Sequence, residues 1–263
     1  MQLFTIFGDP VSHSRSPLMH NSVFKACNID ACYSRTHLIN GSSLRDVFFA
    51  KALRGANVTV PHKEAAYTLC DEVRGIAQNI GAVNTLVLEE GRLIGYNTDA
   101  DGFMAALQSF GTLTNALIIG AGGTARALAT VLRQNSISPT ILNRSENRLN
   151  YFKENHFSSY TWETFSLATY DVIINTTSAG LSDDELPIPP LLLSELLSRA
   201  QCAVDVIYGK RTPFLQEVKK AKLPYKDGSH MLLEQGILAN SLFTDGKISY
   251  DELKSIMAKT FLL

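Results

Sequence analysis

The sequence predicts an α/β protein with two lobes, and three observations lead to that prediction. Short apolar runs alternate with segments of helical spacing along almost the whole chain, which is the pattern of strands joined by helices. The 263 residues are enough to bury two separate cores. A glycine-rich turn at residues 120–125 follows an unbroken apolar run, which indicates that a second strand–turn–helix unit begins in mid-chain.

The first lobe comprises residues 1–101 and mixes strands with short helices. Its predicted elements are strands at 3–7 and 32–38, helices at 17–27 and 43–53, a short strand at 57–60, and two strands joined by a turn within 85–99. Alternation in the third of these strands places Asn57 and Thr59 on one face. Pro61 cannot donate to a sheet ladder and therefore ends that strand, and Lys63 follows at once.

The second lobe comprises residues 102–235 and is predicted to hold a parallel sheet. A helix at 101–111 leads into it, and its strands are predicted within 115–134, 139–145, 171–180 and 202–208. Strands separated by helices at this spacing predict a sheet covered on both faces. Helical patterns follow at 228–246 and 247–263, and we expect the helices of residues 236–263 to return to the first lobe.

Composition and charge argue against several classes of function. The net charge of −1 gives no basic surface for nucleic acid, and no apolar run is long enough for a membrane span or a signal peptide. Four cysteines have neither CxxC spacing nor a Cys/His metal pattern: Cys27, Cys32, Cys70 and Cys202. We therefore expect a cytoplasmic protein in a reducing compartment, with no metal, no nucleic-acid partner and no membrane partner.

The loop GAGGTA, residues 120–125, is typical of a dinucleotide-binding turn. It matches G-x-G-x-x-[GA], with Gly120, Gly122 and Ala125 at the three small positions, and it has a strand before it and a helix after it. Small residues let the backbone approach a pyrophosphate, which then meets the helix N-terminus. This context favours a Rossmann-type dinucleotide-binding domain over a purely structural glycine turn.

The end of the next predicted strand favours NADP over NAD. An acidic residue there would bind the ribose 2′-hydroxyl of NAD, but this chain has Asn143, Arg144 and Ser145, with Arg148 close behind. A 2′-phosphate pairs with guanidinium groups and is repelled by a carboxylate. The alternative is that Arg144 is a solvated residue in the first turn of a helix.

Polar side chains at the ends of the first-lobe elements form a second candidate site. Ser16 stands before a proline, as a helix N-cap does, but capping does not explain Ser14 two residues earlier. Asn84 and Asp99 lie at the ends of predicted strands, where turn or capping chemistry explains each of them taken alone. The two serine hydroxyls suit a ligand that carries a carboxylate or several hydroxyls, and the whole set, together with Lys63, suits a polyhydroxylated substrate.

These residues carry a family resemblance. The chain resembles the shikimate dehydrogenase family, the NADP-dependent enzymes of aromatic amino-acid biosynthesis, from its first strand almost to its end. The matching segments occur in family order and are GDPVSHSRSPLMHN, NVTVPHK, GAVNT, GYNTD, GAGGTARA, NRS, INTTSAG, DVIY followed by TPFL, and the GSHMLLEQG helix. The departures are small: Ala100 stands where glycine is usual after NTD, and Ser145 replaces the common threonine after Asn-Arg.

The resemblance implies a role for each candidate residue. Lys63 and Asp99 would be the catalytic pair, and residues 1–101 the substrate-binding domain. Ser14 and Ser16 would hold the substrate carboxylate. The residues that would contact the carboxylate or the ring hydroxyls are Thr59, Asn84, Tyr208 and Gln235, with Asp99 beside them. The residues that would bind NADP are Gly120, Ala121, Gly122, Gly123 and Thr124 at the pyrophosphate, Asn143, Arg144, Ser145 and Arg148 at the adenosine phosphate, and Val206 and Gly228 by the nicotinamide.

The implied reaction is the reversible reduction of 3-dehydroshikimate to shikimate, with Lys63 as the proton carrier. The expected partner is therefore a small-molecule substrate, and the chain would act as a monomer or a homodimer. One alternative is a quinate/shikimate dehydrogenase that accepts a broader range of substrates or uses NAD. Another is a non-catalytic NADP(H)-sensing module, which would tolerate the loss of both Lys63 and Asp99.

Overall fold

The structure is a computed structural model that describes residues 1–262. The chain forms two compact units. One comprises Met1–Gly102 and the chain from Leu232 onward, and the other comprises Phe103–Met231. Each unit contains a six-stranded sheet. Within the described residues, no helix is long and apolar enough to cross a membrane.

The first unit is built on a mixed sheet. Its elements up to the sixth strand are β1 (Gln2–Gly8), α1 (Ser16–Ala26), β2 (Ala31–His37), α2 (Leu44–Ala50), β3 (Gly55–Val58), α3 (Lys63–Leu69), β4 (Glu72–Val73), α4 (Ala77–Ile80), β5 (Thr85–Glu89) and β6 (Arg92–Tyr96). The strand order is β2-β1-β3-β5-β6-β4. β1 pairs in parallel with β2 and β3, whereas β5 runs antiparallel to β3 and β6. The predicted two strands within 85–99 therefore form an antiparallel hairpin.

The end of β3 differs from the prediction. The strand ends at Val58, two residues before the predicted end. The backbone N–H of Thr59 still donates to Phe7 at 2.8 Å, but its carbonyl accepts from the N–H of His62 at 3.0 Å and so closes a turn. Lys63 is consequently the first residue of α3 and does not lie in an extended loop.

The second unit is built on a parallel sheet. The remaining elements of the chain are α5 (Thr98–Leu107), β7 (Asn115–Ile119), α6 (Gly123–Gln134), β8 (Ser138–Asn143), α7 (Asn150–Glu154), β9 (Ser158–Thr161), β10 (Val172–Asn175), α8 (Pro190–Leu197), β11 (Cys202–Asp205), α9 (Pro213–Lys220), β12 (Tyr225–Lys226), α10 (Gly228–Phe243) and α11 (Tyr250–Lys259). The strand order is β12-β11-β10-β7-β8-β9, and neighbouring strands are parallel. This is the doubly wound order, in which the direction of strand addition across the sheet reverses between β7 and β10.

The parallel sheet is buried on both faces, as predicted. Along β7, Ala116 and Ile118 belong to one hydrophobic core, whereas Leu117 and Ile119 belong to the other. Side chains alternate between the two faces of a strand, so this pattern requires helices on both sides. The edge strands β9 and β12 were not expected from the sequence, because both are short and carry several exposed or half-buried residues.

Candidate active site

The two candidate catalytic residues form an ion pair in the first unit. Lys63 Nζ lies 2.6 Å from Asp99 Oδ2, and the two side chains are 24% and 15% exposed. Partial burial strengthens such a pair relative to one on the open surface, while leaving both groups within reach of a ligand. The backbone of Lys63 is also anchored, because its carbonyl accepts from the N–H of Val83 at 2.9 Å. The pair is therefore held in place from both sides.

Asp99 is free of the capping role that local chemistry alone would give it. Helix α5 begins at Thr98, three residues before its predicted start. The side-chain oxygen of Asn97 accepts from the backbone N–H groups of Asp99 and Ala100 at 3.1 and 3.2 Å. Asn97 thus satisfies the first N–H groups of the helix, and the Asp99 carboxylate is directed to Lys63 instead.

Ser14 and Ser16 lie together at the start of α1, but Ser16 is not the N-cap that the sequence indicated. The helix begins at Ser16 itself, so the capping position falls on Arg15. The hydroxyl of Ser14 accepts from the backbone N–H of Ser16 at 3.3 Å, and the two hydroxyl oxygens are also 3.3 Å apart. Arg35 donates two hydrogen bonds to the Ser14 carbonyl, at 2.6 and 3.1 Å, which fixes this turn against β2. Two adjacent hydroxyls at a helix N-terminus form a suitable carboxylate-binding arrangement.

Asn84 directly precedes β5 and connects the start of that strand to the start of α5. Its side-chain oxygen accepts from the backbone N–H of Thr98 at 2.8 Å, and its Nδ2 donates to the Thr98 hydroxyl at 3.1 Å. Thr85 donates to the same Asn84 oxygen at 3.0 Å. Nδ2 carries two hydrogens, and the bond to Thr98 uses one of them. Asn84 therefore positions the segment that carries Asp99.

A buried polar network beside Ser16 was not assigned a role from the sequence. The Tyr33 hydroxyl donates to Asn57 Oδ1 at 2.6 Å, and Asn57 Nδ2 donates to the Thr85 hydroxyl at 3.0 Å. His20 stacks on Tyr33 with ring centroids 4.4 Å apart, and burial lowers the pKa of His20 to about 3. The imidazole is therefore neutral at physiological pH. The polar letters were visible in the sequence, but their partners are distant along the chain.

Two other candidate substrate residues also lie in the first unit. Gln235 in α10 is almost fully buried, and its Nε2 donates to the Leu232 carbonyl at 2.9 Å. Thr59 follows β3 and is half-buried. Tyr208, also half-buried, follows β11 and belongs to the second unit. No group of three His, Cys, Asp or Glu side chains within residues 1–262 is arranged to hold a metal ion.

The glycine loop of the second unit fits a dinucleotide. Gly120 follows β7 with φ of +110°, and a Cβ there would lie 2.6 Å from Thr176 Oγ1, so the tight turn requires glycine. Gly122 and Gly123 lie at the start of α6, where an added Cβ would meet no described atom within 4 Å. The N–H groups of the first helical turn are therefore open to a phosphate. The buried Ala121 and the half-buried Thr124 complete the predicted loop.

The residues after β8 suit the adenosine phosphate. Asn143 Nδ2 donates to the Ser145 carbonyl at 2.9 Å and so closes the turn that carries Arg144. Both Arg144 and Arg148 are exposed. Two exposed guanidinium groups at the end of the strand next to β7 match the chemistry that a 2′-phosphate requires.

The candidate nicotinamide residues are packed backbone to backbone. The N–H of Gly228 donates to the Ile207 carbonyl at 3.0 Å. A Cβ on Gly228 would lie 2.0 Å from the carbonyl oxygen of Val206, so no side chain can be placed there without moving one of the two segments. Val206 and Gly228 are thus neighbours, although 22 positions separate them in the sequence.

The chain is similar to one family model and to several known proteins. Residues 6–86 match the family model described as the shikimate dehydrogenase substrate binding domain. The chain is 44% identical to the shikimate dehydrogenase (NADP(+)) of Helicobacter hepaticus, over 98% of this chain and 97% of that protein. It is similar to a solved shikimate 5-dehydrogenase from Thermus thermophilus in complex with NADP(H) and shikimate, with 34% identity, a TM-score of 0.85, and coverage of 99% and 100% of the two chains. A shikimate 5-dehydrogenase from Listeria monocytogenes, in complex with shikimate and NAD, matches with 26% identity and a TM-score of 0.83 over 98% of this chain and 96% of that one.

Proposed function

This chain belongs to the shikimate dehydrogenase family, and on that premise we propose that it catalyses the reversible NADPH-dependent reduction of 3-dehydroshikimate to shikimate. The observation that carries the proposal is the Lys63–Asp99 pair, with Nζ and Oδ2 at 2.6 Å. When bound, NADPH supplies the hydride for carbonyl reduction. The loop residues 120–124 would hold its pyrophosphate, and Arg144 and Arg148 its 2′-phosphate.

The proton comes from the protein side of the reaction. We assign it to the ammonium group of Lys63, which donates to the alkoxide oxygen as that charge develops and takes the hydroxyl proton back in the reverse direction. We assign the Asp99 carboxylate, whose Oδ2 lies 2.6 Å from Lys63 Nζ, to orienting Lys63 and to accepting a hydrogen bond from the same hydroxyl. Ser14 and Ser16 donate to the substrate carboxylate and so fix the ring relative to the proton donor.

The other candidate residues would contact the polar groups of the substrate. We assign Thr59, Asn84 and Gln235 in the first unit, and Tyr208 in the second, to the ring hydroxyls and the carboxylate. Amides and hydroxyls can both donate and accept hydrogen bonds, so they suit a polyhydroxylated ring that carries one anionic group. We also place the activity in the cytoplasm, because all four cysteines are free thiols, as a reducing compartment allows.

The test is absorbance in the NADPH band with purified protein, NADP and shikimate, repeated with quinate and with NAD. The proposal expects rapid NADPH formation with shikimate and little change in the other reactions. Comparable rates with quinate or NAD would assign the chain to the broader quinate/shikimate group. A folded protein that binds NADPH but reduces or oxidises nothing would support the sensing module instead.

A further inference from the structure

Asp205, the last residue of β11, is a fully buried carboxyl that the proposed reaction does not use. Three groups donate hydrogen bonds to it: the Thr212 hydroxyl at 2.5 Å, Asn175 Nδ2 at 3.1 Å and the backbone N–H of Ile207 at 3.1 Å. All three are neutral. A buried carboxylate without a cation among its hydrogen-bond donors is costly to maintain, which suggests that this group has a specific task.

The hydrogen bonds of Asp205 join the loops that follow two neighbouring strands. Asn175 ends β10, and its side-chain oxygen accepts from the backbone N–H and the hydroxyl of Thr177 at 3.1 and 2.8 Å. The backbone carbonyl of Asn175 accepts from the N–H of Val206 at 3.0 Å. The hydrogen bonds of Asn175 and Asp205 therefore fix the first residues after β10 against the first residues after β11.

These hydrogen bonds hold the segment of residues 206–208. Its backbone is fixed on one side by the Asp205 carboxylate, which accepts from the N–H of Ile207. On the other side it is fixed by Gly228, whose N–H donates to the Ile207 carbonyl at 3.0 Å. The charge of Asp227, like burial, raises the pKa of Asp205.

The position of this segment in the sheet relates it to the cofactor. In a doubly wound sheet a dinucleotide lies across the carboxyl ends of the strands at the reversal point, which here falls between β7 and β10. If Arg144 after β8 holds the adenosine phosphate and the start of α6 holds the pyrophosphate, the nicotinamide half would extend over β10 and β11. Asp205 and Asn175 are at these strand ends.

We infer that Asp205 is a positioning residue for the nicotinamide: its buried carboxylate holds residues 206–208 in the backbone conformation that receives the reactive ring. It acts through this segment and does not touch the cofactor. The inference rests on the proposed function, since it assigns residues 206–208 to the nicotinamide half of the site.

The same sheet provides a matched control at its opposite end. Asp171 precedes β10, and its carboxylate accepts from the backbone N–H and the hydroxyl of Thr114 at 2.6 and 2.8 Å. It also accepts from the N–H of Asn115 at 3.2 Å and from Gln201 Nε2 at 2.6 Å. Asp171 therefore ties together the amino ends of β7, β10 and β11, as Asp205 ties the carboxyl ends of two of these strands. Asp171→Asn is the same chemical change in the same sheet, away from the candidate cofactor site.

The first measurement is amide hydrogen exchange in the cofactor-free protein. Asp205→Asn is expected to speed exchange at residues 206–208 by about tenfold or more, because the Ile207 N–H loses its anionic acceptor. Asp171→Asn is expected to leave these rates within about twofold of wild type. Unchanged protection at residues 206–208 in Asp205→Asn would overturn the inference.

The second measurement separates the two ends of the cofactor. Asp205→Asn is expected to lower kcat by about 10- to 100-fold and to raise the primary deuterium isotope effect with NADPH deuterated at the transferred position, because a misplaced ring makes hydride transfer limiting. Binding of 2′,5′-ADP, which lacks the nicotinamide, is expected to stay within about twofold of wild type. If Asp171→Asn lowered kcat as much as Asp205→Asn, and each loss of kcat followed the loss of Tm, the role of Asp205 would be purely structural.

A second pair of variants tests the inference if Asp205→Asn does not fold. Thr212→Val removes the hydroxyl that donates to Asp205, and Thr212→Ser keeps it. The valine variant is expected to show the same isotope effect and the same faster exchange, and the serine variant to behave like wild type. Identical behaviour of the two would overturn the inference. Failure of the proposed function is recognised separately, because wild-type protein would then show no turnover of shikimate.

Discussion

The two units present their candidate ligand residues in different ways. In the first unit these residues are side chains already bound to their neighbours, as in the Lys63–Asp99 pair and the bonds from Asn84 to Thr98. In the second unit they are open backbone at Gly122 and Gly123 and the exposed side chain of Arg144. The candidate substrate residues are thus held by contacts within the protein, whereas the candidate cofactor residues offer separate points of attachment. Substitutions in the first unit should therefore mainly affect the turnover or the binding of shikimate, whereas those at Gly122 and Arg144 in the second should mainly affect cofactor affinity.

The largest expected effect is on the ion pair of the first unit. Lys63→Ala should lower kcat by a factor of about 10² to 10⁴, because the developing alkoxide loses its proton donor. NADPH affinity, measured by fluorescence titration, should remain as in wild type. Lys51→Ala, an exposed lysine at the end of α2, serves as the control. A parallel loss of NADPH binding would point to a folding defect and remove the contrast between the units.

The buried carboxyl of the second unit should make stability depend on pH. Burial raises the pKa of Asp205 from 3.8 to about 6, so between these values the folded state binds more protons than the unfolded state. The contribution of this group to stability is therefore present at low pH and is lost as the pH rises through about 6, by about 3 kcal/mol in total.

Urea unfolding of wild type and Asp205→Asn at pH 4 and pH 7 provides the measurement. The free energy of unfolding of wild type, relative to the variant, should fall by about 2 kcal/mol between the two pH values, because the unfolded carboxyl is already partly ionised at pH 4. If the difference in the free energy of unfolding between wild type and Asp205→Asn did not change with pH, the raised pKa of Asp205 would be contradicted.

Two glycines of one loop should separate folding from cofactor binding. Gly120→Ala should destabilise the protein by about 1–3 kcal/mol, because its φ is +110° and the new Cβ would lie 2.6 Å from Thr176 Oγ1. Gly122 has a φ of −86°, so Gly122→Ala should leave Tm nearly unchanged. The added methyl group should weaken NADPH binding. Thermal unfolding and fluorescence titration distinguish these effects. Equal Tm losses in the two variants would be inconsistent with the open loop.

A smaller effect is expected at the adenosine end of the cofactor. Arg144→Ala should weaken NADPH by about tenfold, the value of one charge-assisted hydrogen bond, and should leave NADH nearly unchanged. Dissociation constants for both dinucleotides give the comparison, with the exposed Arg199→Ala as the control. An equal effect on NADPH and NADH would refute the assigned role of Arg144.

The smallest expected effect concerns the buried network of the first unit. Tyr33→Phe removes the hydroxyl that donates to Asn57 at 2.6 Å and should cost about 1 kcal/mol of stability. It should raise KM for shikimate and leave KM for NADPH unaltered, because the network lies beside the substrate residues. Tyr225→Phe, at an exposed tyrosine, should change neither constant. A shift in the KM for NADPH would blur the distinction between the units.

Local patterns in the sequence determined most of the fold. The apolar run of β7, the glycine loop and the amphipathic α6 are encoded by adjacent residues, and the structure confirms all three in that order. The hairpin of β5 and β6 follows from alternation around a turn. The short edge strands β9 and β12 could not be predicted in this way, because only their partners in the sheet define them.

Only the tertiary structure decided how the polar side chains are paired. Lys63 and Asp99 are 36 positions apart, and the capping by Asn97 that leaves Asp99 available depends on where α5 begins. The hydrogen bond from Asn175 to Asp205 likewise depends on the strand order, because it joins β10 to β11. Periodicity records which face of an element is buried, because that preference acts on neighbouring residues. A hydrogen bond between distant side chains exists only once strand order and register have brought the two groups within about 3 Å of each other.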